Sequence, residues 1–344
     1  MNIFLDNILC KIWLYNVLTS PKSLFIMNSL GLSIILRMGC ICSRETLHVN
    51  SKKYYVMENL GVGGFSTVDL VEESNTRQHF AVKKIVCHGI EDQKLALKEI
   101  QYYKALDHPN IIKCIDSAIS GHADPLLNST SQVLIVLPYY KKGTLAHELS
   151  RRSCENNYMN AVDVLHMFIQ ICEGVAAFHE ATPEPLSHRD LKTANILIGD
   201  DNIPIIMDLG SVAVARVKIC GSSEAQHLQD EASEKCSMPY RAPELFNVES
   251  YCMIDERTDI WSLGCVLYAM CYFKSPFDAV YERGDSVALA VISGNVTFPD
   301  SSPYDEDMHD LIKYMLKVNP MERPYIYSVV EKARDILSKL EARA

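Results

Sequence analysis

The sequence predicts an α+β fold in which a smaller, mainly β part precedes a larger, mainly α part. Two short strands around a glycine-rich turn fit residues 54–72, and a continuous apolar run at residues 133–137 fits a buried strand. An apolar stripe at helical spacing covers residues 162–179, and a strongly apolar helical stretch covers residues 259–273. Strands and helices that occur in separate blocks are typical of α+β domains.

The composition is that of an ordinary globular protein. The chain has 344 residues, of which 48% are hydrophobic and 22% charged, enough for one large domain or two medium ones. The net charge is −10 and no long basic run occurs, so nucleic acid is not an expected partner. The twelve cysteines are scattered, which favours small buried thiols in a reducing compartment.

The first residues do not match a membrane-spanning helix or a signal peptide. Residues 1–37 are rich in Ile, Leu and Phe, but their longest apolar stretch, residues 24–36, is shorter than the roughly 20 residues that a spanning helix needs. The chain also lacks the basic start and clean apolar core of a signal peptide. We expect residues 1–37 to be an upstream or alternative-start extension without a folded structure.

A short lipidation signal follows. Residues 38–43 read MGCICS, which fits the N-myristoylation pattern M-G-x-x-x-[ST] if translation starts at Met38. Gly39 would then carry the myristoyl chain, and Cys40 and Cys42 would be palmitoylation candidates. A second acyl chain is needed because one myristoyl chain binds membranes only marginally. The alternative is an N-terminal tail with no function.

The mainly β part contains a glycine-rich turn and a lysine-bearing strand. Residues 61–68 read GVGGFSTV, and glycines let a backbone approach phosphate oxygens closely, although such a turn is usually only a turn. In the strand at residues 80–84, FAVKK, Ala81 and Lys83 share one face and Lys84 lies on the other. Both lysines could simply be solvated strand ends.

A helix is predicted between this strand and the next. Residues 91–106 are rich in Lys, Leu, Ala and Glu, and Pro109 prevents the helix from continuing. A surface helix carries glutamates in any case, so Glu99 alone indicates nothing.

The mainly α part carries the stretch with the most chemistry. Residues 188–195 read HRDLKTAN and offer a carboxylate, a cation and an amide oxygen, the groups that phosphoryl transfer to a hydroxyl requires. The candidate residues are Asp190 as the base, Lys192 as the cation and Asn195 as a metal ligand. Residues 205–210, IIMDLG, form an apolar run that delivers Asp208 to a glycine turn, which could also be an ordinary β-turn.

From Tyr55 to about Leu337 the chain resembles a eukaryotic protein kinase domain, with the family's motifs in order. Residues 188–195 match the catalytic loop H-R-D-L-x-x-x-N at every specified position, in the form typical of serine/threonine specificity. Residues 61–68 resemble the nucleotide loop G-x-G-x-x-G-x-V, with Ser66 in place of the third glycine. The resemblance implies a bilobal fold, with an N-lobe at residues 51–140 and a C-lobe at residues 141–341.

The resemblance also implies roles for individual residues, with ATP and Mg²⁺ as cofactors. Asp190 and Lys192 would be catalytic, and Asn195 and Asp208 would bind the metal. Leu137 would be the gatekeeper, followed by the Pro138 carbonyl and the Tyr140 N–H as adenine partners. The implied nucleotide-binding residues are Leu60, Gly61, Val62, Gly63, Gly64, Phe65, Ser66, Val68, Ala81, Lys83, Glu99, Leu137, Pro138, Tyr140 and Leu197.

Other implied roles are structural. Glu99 would pair with Lys83, Glu244 would pair with Arg323, and Asp259 would hold the backbone of the catalytic loop. Ser237 would lie near Asp190, and a helix would follow Ser222 within the activation segment, residues 211–239. The closer resemblance is to the myristoylated and palmitoylated members of the Numb-associated kinase family. Its supporting stretches are residues 38–44, 63–66, 142–145, 207–211 and 254–259.

This closer resemblance implies a lipidation segment at residues 38–50 and a kinase on the cytoplasmic face of membranes, with some cytosolic protein. Golgi, trans-Golgi network and perinuclear membranes are the implied sites. The substrates would be Ser and Thr of proteins, including the kinase itself, and Tyr stays open. The alternative is a catalytically silent kinase-fold scaffold. Such scaffolds usually lack one of the residues that correspond to Lys83, Asp190 and Asp208, and all three are present here. Activity on lipids or small molecules is a weaker alternative, because residues 240–244 resemble a segment that docks peptides.

Overall fold

The computed structural model describes residues 45–64, 66–124 and 129–343, which fall almost entirely within one compact unit that begins at Thr46. The extension at residues 1–37, the lipidation residues Gly39, Cys40 and Cys42, and Phe65 lie outside the described residues. The described part consists of a mainly β region followed by a mainly α region, which confirms the predicted α+β fold.

The first region is a six-stranded antiparallel sheet with the strand order β1-β2-β3-β4-β6-β5. The predicted strands are present, and β1 and β5 are two further ones. β1 lies within the segment at residues 38–50 that we assigned to lipidation, so the sheet starts before the predicted lobe boundary. The strands are β1 (Thr46–Val49), β2 (Lys52–Val62), β3 (Ser66–Glu73), β4 (His79–Cys87), β5 (Asp116–Asp124) and β6 (Ser129–Pro138).

Residues 133–137 of strand β6 form a continuous apolar run because both faces of the strand are covered there. Leu134 and Val136 pack with the core on one face of the sheet, which includes Tyr54. Val133 and Ile135 point to the other face, where the main core includes residues of helix α1 (Ile90–Ala105). A strand that is buried on both sides needs apolar residues at every position. β6 thereby packs the sheet against α1.

The second region is built around two long, largely buried helices. Helix α3 (Ala161–His179) is apolar and long enough to cross a membrane by length and composition alone, but more than half of it is buried, and Phe168 and Phe178 are fully buried in the core. Helix α5 (Arg257–Tyr272) is buried along nearly its whole length. The other helices are α2 (Leu145–Cys154), α4 (Ser222–Lys235), α6 (Asp278–Glu282), α7 (Val287–Ser293), α8 (Glu306–Met315) and α9 (Ile326–Glu341).

Three short antiparallel ribbons carry the loops between these helices. Their strands are β7 (Leu186–Ser187) with β10 (Ala213–Val214), β8 (Ile196–Ile198) with β9 (Pro204–Ile206), and β11 (Val217–Cys220) with β12 (Tyr251–Ile254). The ribbon β8–β9 lies directly between residues 188–195 and Asp208, so it holds both functional stretches at the same edge of the C-terminal region.

The segment between Asp208 and Tyr240 has a small core of its own. Helix α4 confirms the helix predicted after Ser222, and its apolar side is buried against β11 and the residues that follow the segment. The members of this cluster are Ile219, Ala225, Leu228, Ala232, Cys236, Leu245, Val248 and Ile254. Apolar burial of this kind stabilises the segment as an ordered element.

Candidate active site

Lys83 lies between two carboxylates at the centre of the candidate site. Its Nζ is 2.8 Å from Glu99 Oε1 and 2.8 Å from Asp208 Oδ1. The first contact confirms the predicted pair between strand β4 and helix α1. The second joins the N-terminal region to the turn after β9. Lys84, on the other face of β4, pairs instead with Asp69 at 2.6 Å.

Burial and charge act on these three groups in opposite directions. Burial by itself would lower the pKa of Lys83, but Glu99 and Asp208 raise it well above its usual value. For Glu99 burial prevails, and its pKa is raised despite Lys83. For Asp208 the charge and hydrogen bond of Lys83 outweigh burial, and its pKa is lowered. Asp208 therefore stays ionised at neutral pH, as a metal ligand must.

The backbone around Asp208 aims its carboxylate at this cluster. Asp208 has φ 64° and ψ 78°, in the left-handed region that non-glycine residues rarely adopt. A Cβ on Gly210, two residues further on, would be in van der Waals contact with the Asp208 and Glu99 carboxylates at 3.4 Å, so little room is left there for a larger side chain. An uncommon conformation held in this way at a carboxylate is typical of functional sites.

Asp190 accepts hydrogen bonds on both of its oxygens. Its Oδ1 accepts from the Ser237 backbone N–H at 2.8 Å, and its Oδ2 accepts from Asn195 Nδ2 at 3.0 Å. Lys192 Nζ lies 2.9 Å from Asp190 Oδ2 and donates to Ser237 Oγ at 2.6 Å. The predicted proximity of Ser237 to Asp190 is confirmed. Because the NH₂ group of Asn195 faces Asp190, its amide oxygen points away and could bind a metal ion.

The catalytic loop is fixed from below by a buried carboxylate on α5. Asp259 is fully buried and accepts from the backbone N–H groups of His188 at 2.7 Å and Arg189 at 2.9 Å. His179 Nε2 lies 3.2 Å from the same carboxylate. The predicted role of Asp259 as a support for this loop is confirmed. Two backbone donors that point to one carboxylate give the loop a single conformation.

The glycine-rich turn leaves room above the cleft. The N–H of Gly63 donates to the Ser66 carbonyl at 2.7 Å and closes the turn. A Cβ placed on Gly61 or on Gly64 would meet no atom within 4 Å. The glycines at these two positions are therefore not required by packing within the described residues, which suits a backbone that approaches a ligand.

A cavity of about 550 Å³ joins the turn, the lysine cluster and the catalytic loop. Eight predicted site residues line it: Gly63, Gly64, Ser66, Lys83, Glu99, Asp190, Lys192 and Asp208. The sequence did not single out Glu234, Lys235 and Cys236, which line the same cavity from the end of α4. No fixed spacing links these residues to the catalytic loop, so only the folded segment could show them.

The residues predicted to contact adenine lie beside this cavity rather than in its lining. Ala81 pairs with Leu137 across β4 and β6, and Phe80 pairs with Pro138 at the end of the same ladder. Leu137 is buried and Tyr140 is half-buried. The other predicted residues outside the lining are Leu60, Gly61, Val62, Val68, Asn195 and Leu197. Their contacts with a nucleotide stay predictions.

The predicted ion pair between Glu244 and Arg323 is confirmed. The Arg323 Nη1 and Nη2 atoms lie 2.8 and 2.5 Å from the two Glu244 oxygens. The side chain of Arg323 is fully buried, and it also donates to the Arg257 carbonyl at 2.9 Å. This pair anchors the end of the activation segment to the helical region.

Comparison with known proteins agrees with this geometry. A protein kinase domain model matches residues 54–333. The chain is 40% identical to serine/threonine-protein kinase 16 of Rattus norvegicus and of Homo sapiens, over 88% of this chain and 94% of each relative. It is 30% identical to serine/threonine-protein kinase ppk13 of Schizosaccharomyces pombe, over 86% of this chain and 92% of the relative. The chain therefore belongs to the protein kinase domain family and is a serine/threonine protein kinase.

Proposed function

We propose that this kinase transfers the γ-phosphate of Mg·ATP to Ser and Thr hydroxyls of proteins, including its own. The observation that carries the proposal is the position of Lys83 between Glu99 and Asp208, in the same cavity as Asp190. Lys83 would bind the α- and β-phosphates. Asp190 would orient the attacking hydroxyl and accept its proton.

Asp208 and Asn195 supply the hard oxygen donors that Mg²⁺ prefers. When bound, Mg²⁺ neutralises charge on the phosphate oxygens. One carboxylate oxygen of Asp208 accepts a hydrogen bond from Lys83. This contact lowers the pKa of Asp208 and keeps the carboxylate ionised. Lys192 lies beside Asp190 and Ser237, where it can stabilise the charge on the phosphoryl group as it moves.

Protein hydroxyls are the proposed substrates. The segment 237–244 lies against the catalytic loop through Ser237, and the ion pair of Glu244 with Arg323 holds its end. Such a rigid platform beside Asp190 suits an extended peptide. The Lys at position 192 is the residue typical of serine and threonine specificity, and it donates a hydrogen bond to Ser237. Phosphorylation of Tyr is a finer proposal that rests on resemblance alone.

A labelling assay tests this function. Purified chain is incubated with γ-labelled ATP, Mg²⁺ and dephosphorylated casein, next to Asp190→Ala. We expect label transfer by the wild type and a loss of about 10²-fold or more for the variant, the typical contribution of a positioned base. Equal background label from both proteins would favour the silent scaffold instead. Phosphoamino-acid analysis of the product then separates Ser and Thr from Tyr.

We also propose membrane association through acyl chains on Gly39, Cys40 and Cys42. The support is the pattern MGCICS at residues 38–43, together with the need for two acyl chains for stable anchoring. The cytoplasmic face of Golgi membranes is the proposed site. Intact mass of protein from cells tests the start at Met38 and the acyl groups. A chain that begins at Met1 without acyl groups would refute this part and leave the kinase activity untouched.

A further inference from the structure

Arg189, next to Asp190, carries a buried positive charge. Its side chain is only 8% exposed, and its backbone lies in the left-handed region at φ 64°. The backbone N–H is bound to Asp259, so the side chain leaves the loop in a fixed direction. A buried guanidinium requires hydrogen-bond acceptors and a counter-charge. What supplies them determines how firmly the residues around Asp190 are held.

The hydrogen-bond acceptor comes from the start of the activation segment. Arg189 Nη2 donates to the Val214 carbonyl at 2.9 Å. Val214 lies in β10, which pairs with β7 just before the catalytic loop. The guanidinium therefore ties the catalytic loop to a ribbon that the activation segment itself completes.

The counter-charge comes from the middle of helix α4. Arg189 Nη1 lies 3.6 Å from Glu231 Oε2, and Lys235 Nζ lies 2.9 Å from Glu231 Oε1. Burial alone would raise the pKa of Glu231, but Lys235 and then Arg189 lower it, so the carboxylate is ionised at neutral pH. Within the part of the chain that the structure describes, the carboxylate that forms an ion pair with Arg189 is that of Glu231.

The surroundings show what Glu231 contributes. A cavity of about 620 Å³ lies between α1 and the activation segment, and its lining includes Lys98, Arg189 and Lys218 together with Glu224 and Glu231. Without Glu231, three cations would face one carboxylate. Kinase activation loops are commonly ordered when a phosphate is brought to an arginine. Here a carboxylate that is part of the chain already stands at the arginine.

We propose that Glu231 is a positioning residue that holds Arg189, and through it Asp190, in the productive arrangement without any phosphate in the activation segment. This inference deepens the proposed kinase function and rests on it. Glu231 does not line the cavity that contains Lys83 and Asp190. It acts by neutralising Arg189 from a helix whose apolar side is packed in its own core.

The test compares phosphatase-treated full-length proteins, shown by mass to be unphosphorylated, in the casein assay. Wild type should give a linear progress curve without a lag. Glu231→Gln should lower kcat about tenfold and leave KM for ATP within about twofold, because the nucleotide site is not altered. Asp230→Asn, the same change at an exposed position of α4, should match wild type. Glu231→Asp keeps the charge and should retain more activity than Glu231→Gln.

A double-mutant cycle with Arg189→Met identifies the route. In that background Glu231→Gln should change kcat by less than about twofold, since its partner is gone. A full tenfold effect there, a Glu231→Gln protein with wild-type kcat, or a lag in the unphosphorylated wild type would overturn the inference. If Glu231→Gln does not unfold cooperatively, the folded Glu231→Asp variant is used instead. A tenfold loss of kcat in Glu231→Asp would contradict the inference, because that variant keeps the negative charge. A wild type inactive in every state refutes the kinase function itself.

Discussion

The ammonium group of Lys83 lies at the same distance, 2.8 Å, from Glu99 on helix α1 and from Asp208 after strand β9. One side chain of the sheet therefore contacts both helix α1 and the turn that carries Asp208. We therefore expect its loss to impair phosphoryl transfer and, because buried Glu99 would lose its cation, also to lower stability.

Lys83→Met should lower kcat/KM by about 10²-fold or more, because it removes the cation that we propose binds the phosphates. Lys84→Met is the matched control on the opposite face of β4. It leaves Asp69, a buried carboxylate, without the pairing at 2.6 Å, so it should lower the melting temperature but keep kcat within a few-fold. Steady-state kinetics and thermal melts separate the two effects. The assignment of Lys83 is wrong if the Lys84 variant loses the activity instead.

Activity should fall on acidification before the protein unfolds. The pKa of Glu99 is raised above 4.5, mainly by burial, whereas that of Asp208 lies below 3.8 because of Lys83. Glu99 thus takes up a proton first and weakens its bond to Lys83 while Asp208 stays charged. A kcat/KM profile from pH 8 to pH 5, with circular dichroism at each point, measures this. Glu99→Gln should have a lower kcat/KM at every pH, and its kcat/KM should no longer fall on acidification. An unchanged fall in that variant would assign the titration to another group.

Asp259→Asn should destabilise the protein by about 2–4 kcal/mol, because two backbone donors and His179 lose a buried charged acceptor. Burial alone would raise the pKa of Asp259, but the bonds from His179 and the loop lower it below 3.8. A lowered folded-state pKa contributes stability above the unfolded-state value, and this is lost as the pH falls through the folded-state value. The difference in unfolding free energy between wild type and variant should therefore be full at pH 7 and shrink below about pH 4. A difference that does not change with pH would contradict the charge argument.

Arg323→Met should lower stability by about 3–5 kcal/mol, since it leaves Glu244 without its partner in a buried position. Arg334→Met is the control, because the pair of Arg334 with Glu173 lies at the surface and such pairs contribute little. Urea unfolding of both variants measures the difference. Equal midpoints would show that the Glu244–Arg323 pair does not anchor the segment.

Much of the site could be predicted because its residues are neighbours in short motifs. Asp190, Lys192 and Asn195 occupy one loop, so spacing alone placed them together. The pairs Lys83–Glu99 and Glu244–Arg323 join distant parts of the chain, and only the family resemblance foretold them. Local patterns also located β6 and α3, whose apolar residues are dictated by burial.

Other features follow from tertiary contacts that no local pattern carries. β1 and β5 are edge elements of the sheet, and the polar residues of β5 (DSAISGHAD) do not resemble a buried strand. Glu231 looks like any other glutamate of a solvated helix until α4 is seen beside Arg189. From the sequence, Cys236 would be interpreted as a small apolar core residue, but in the structure it lines the same cavity as Lys83.

The two ribbons of the activation segment have a mechanical consequence. β10 is paired with β7, and β11 is paired with β12 along four residue pairs, so residues 213–220 are held by backbone hydrogen bonds to two other parts of the chain. The activation segment cannot move outward without breaking these strand pairings and exposing the apolar residues of its own small core. The amides of β11 should accordingly exchange with deuterium about as slowly as those of β6. We therefore expect the activation segment to keep this arrangement both with and without bound substrate.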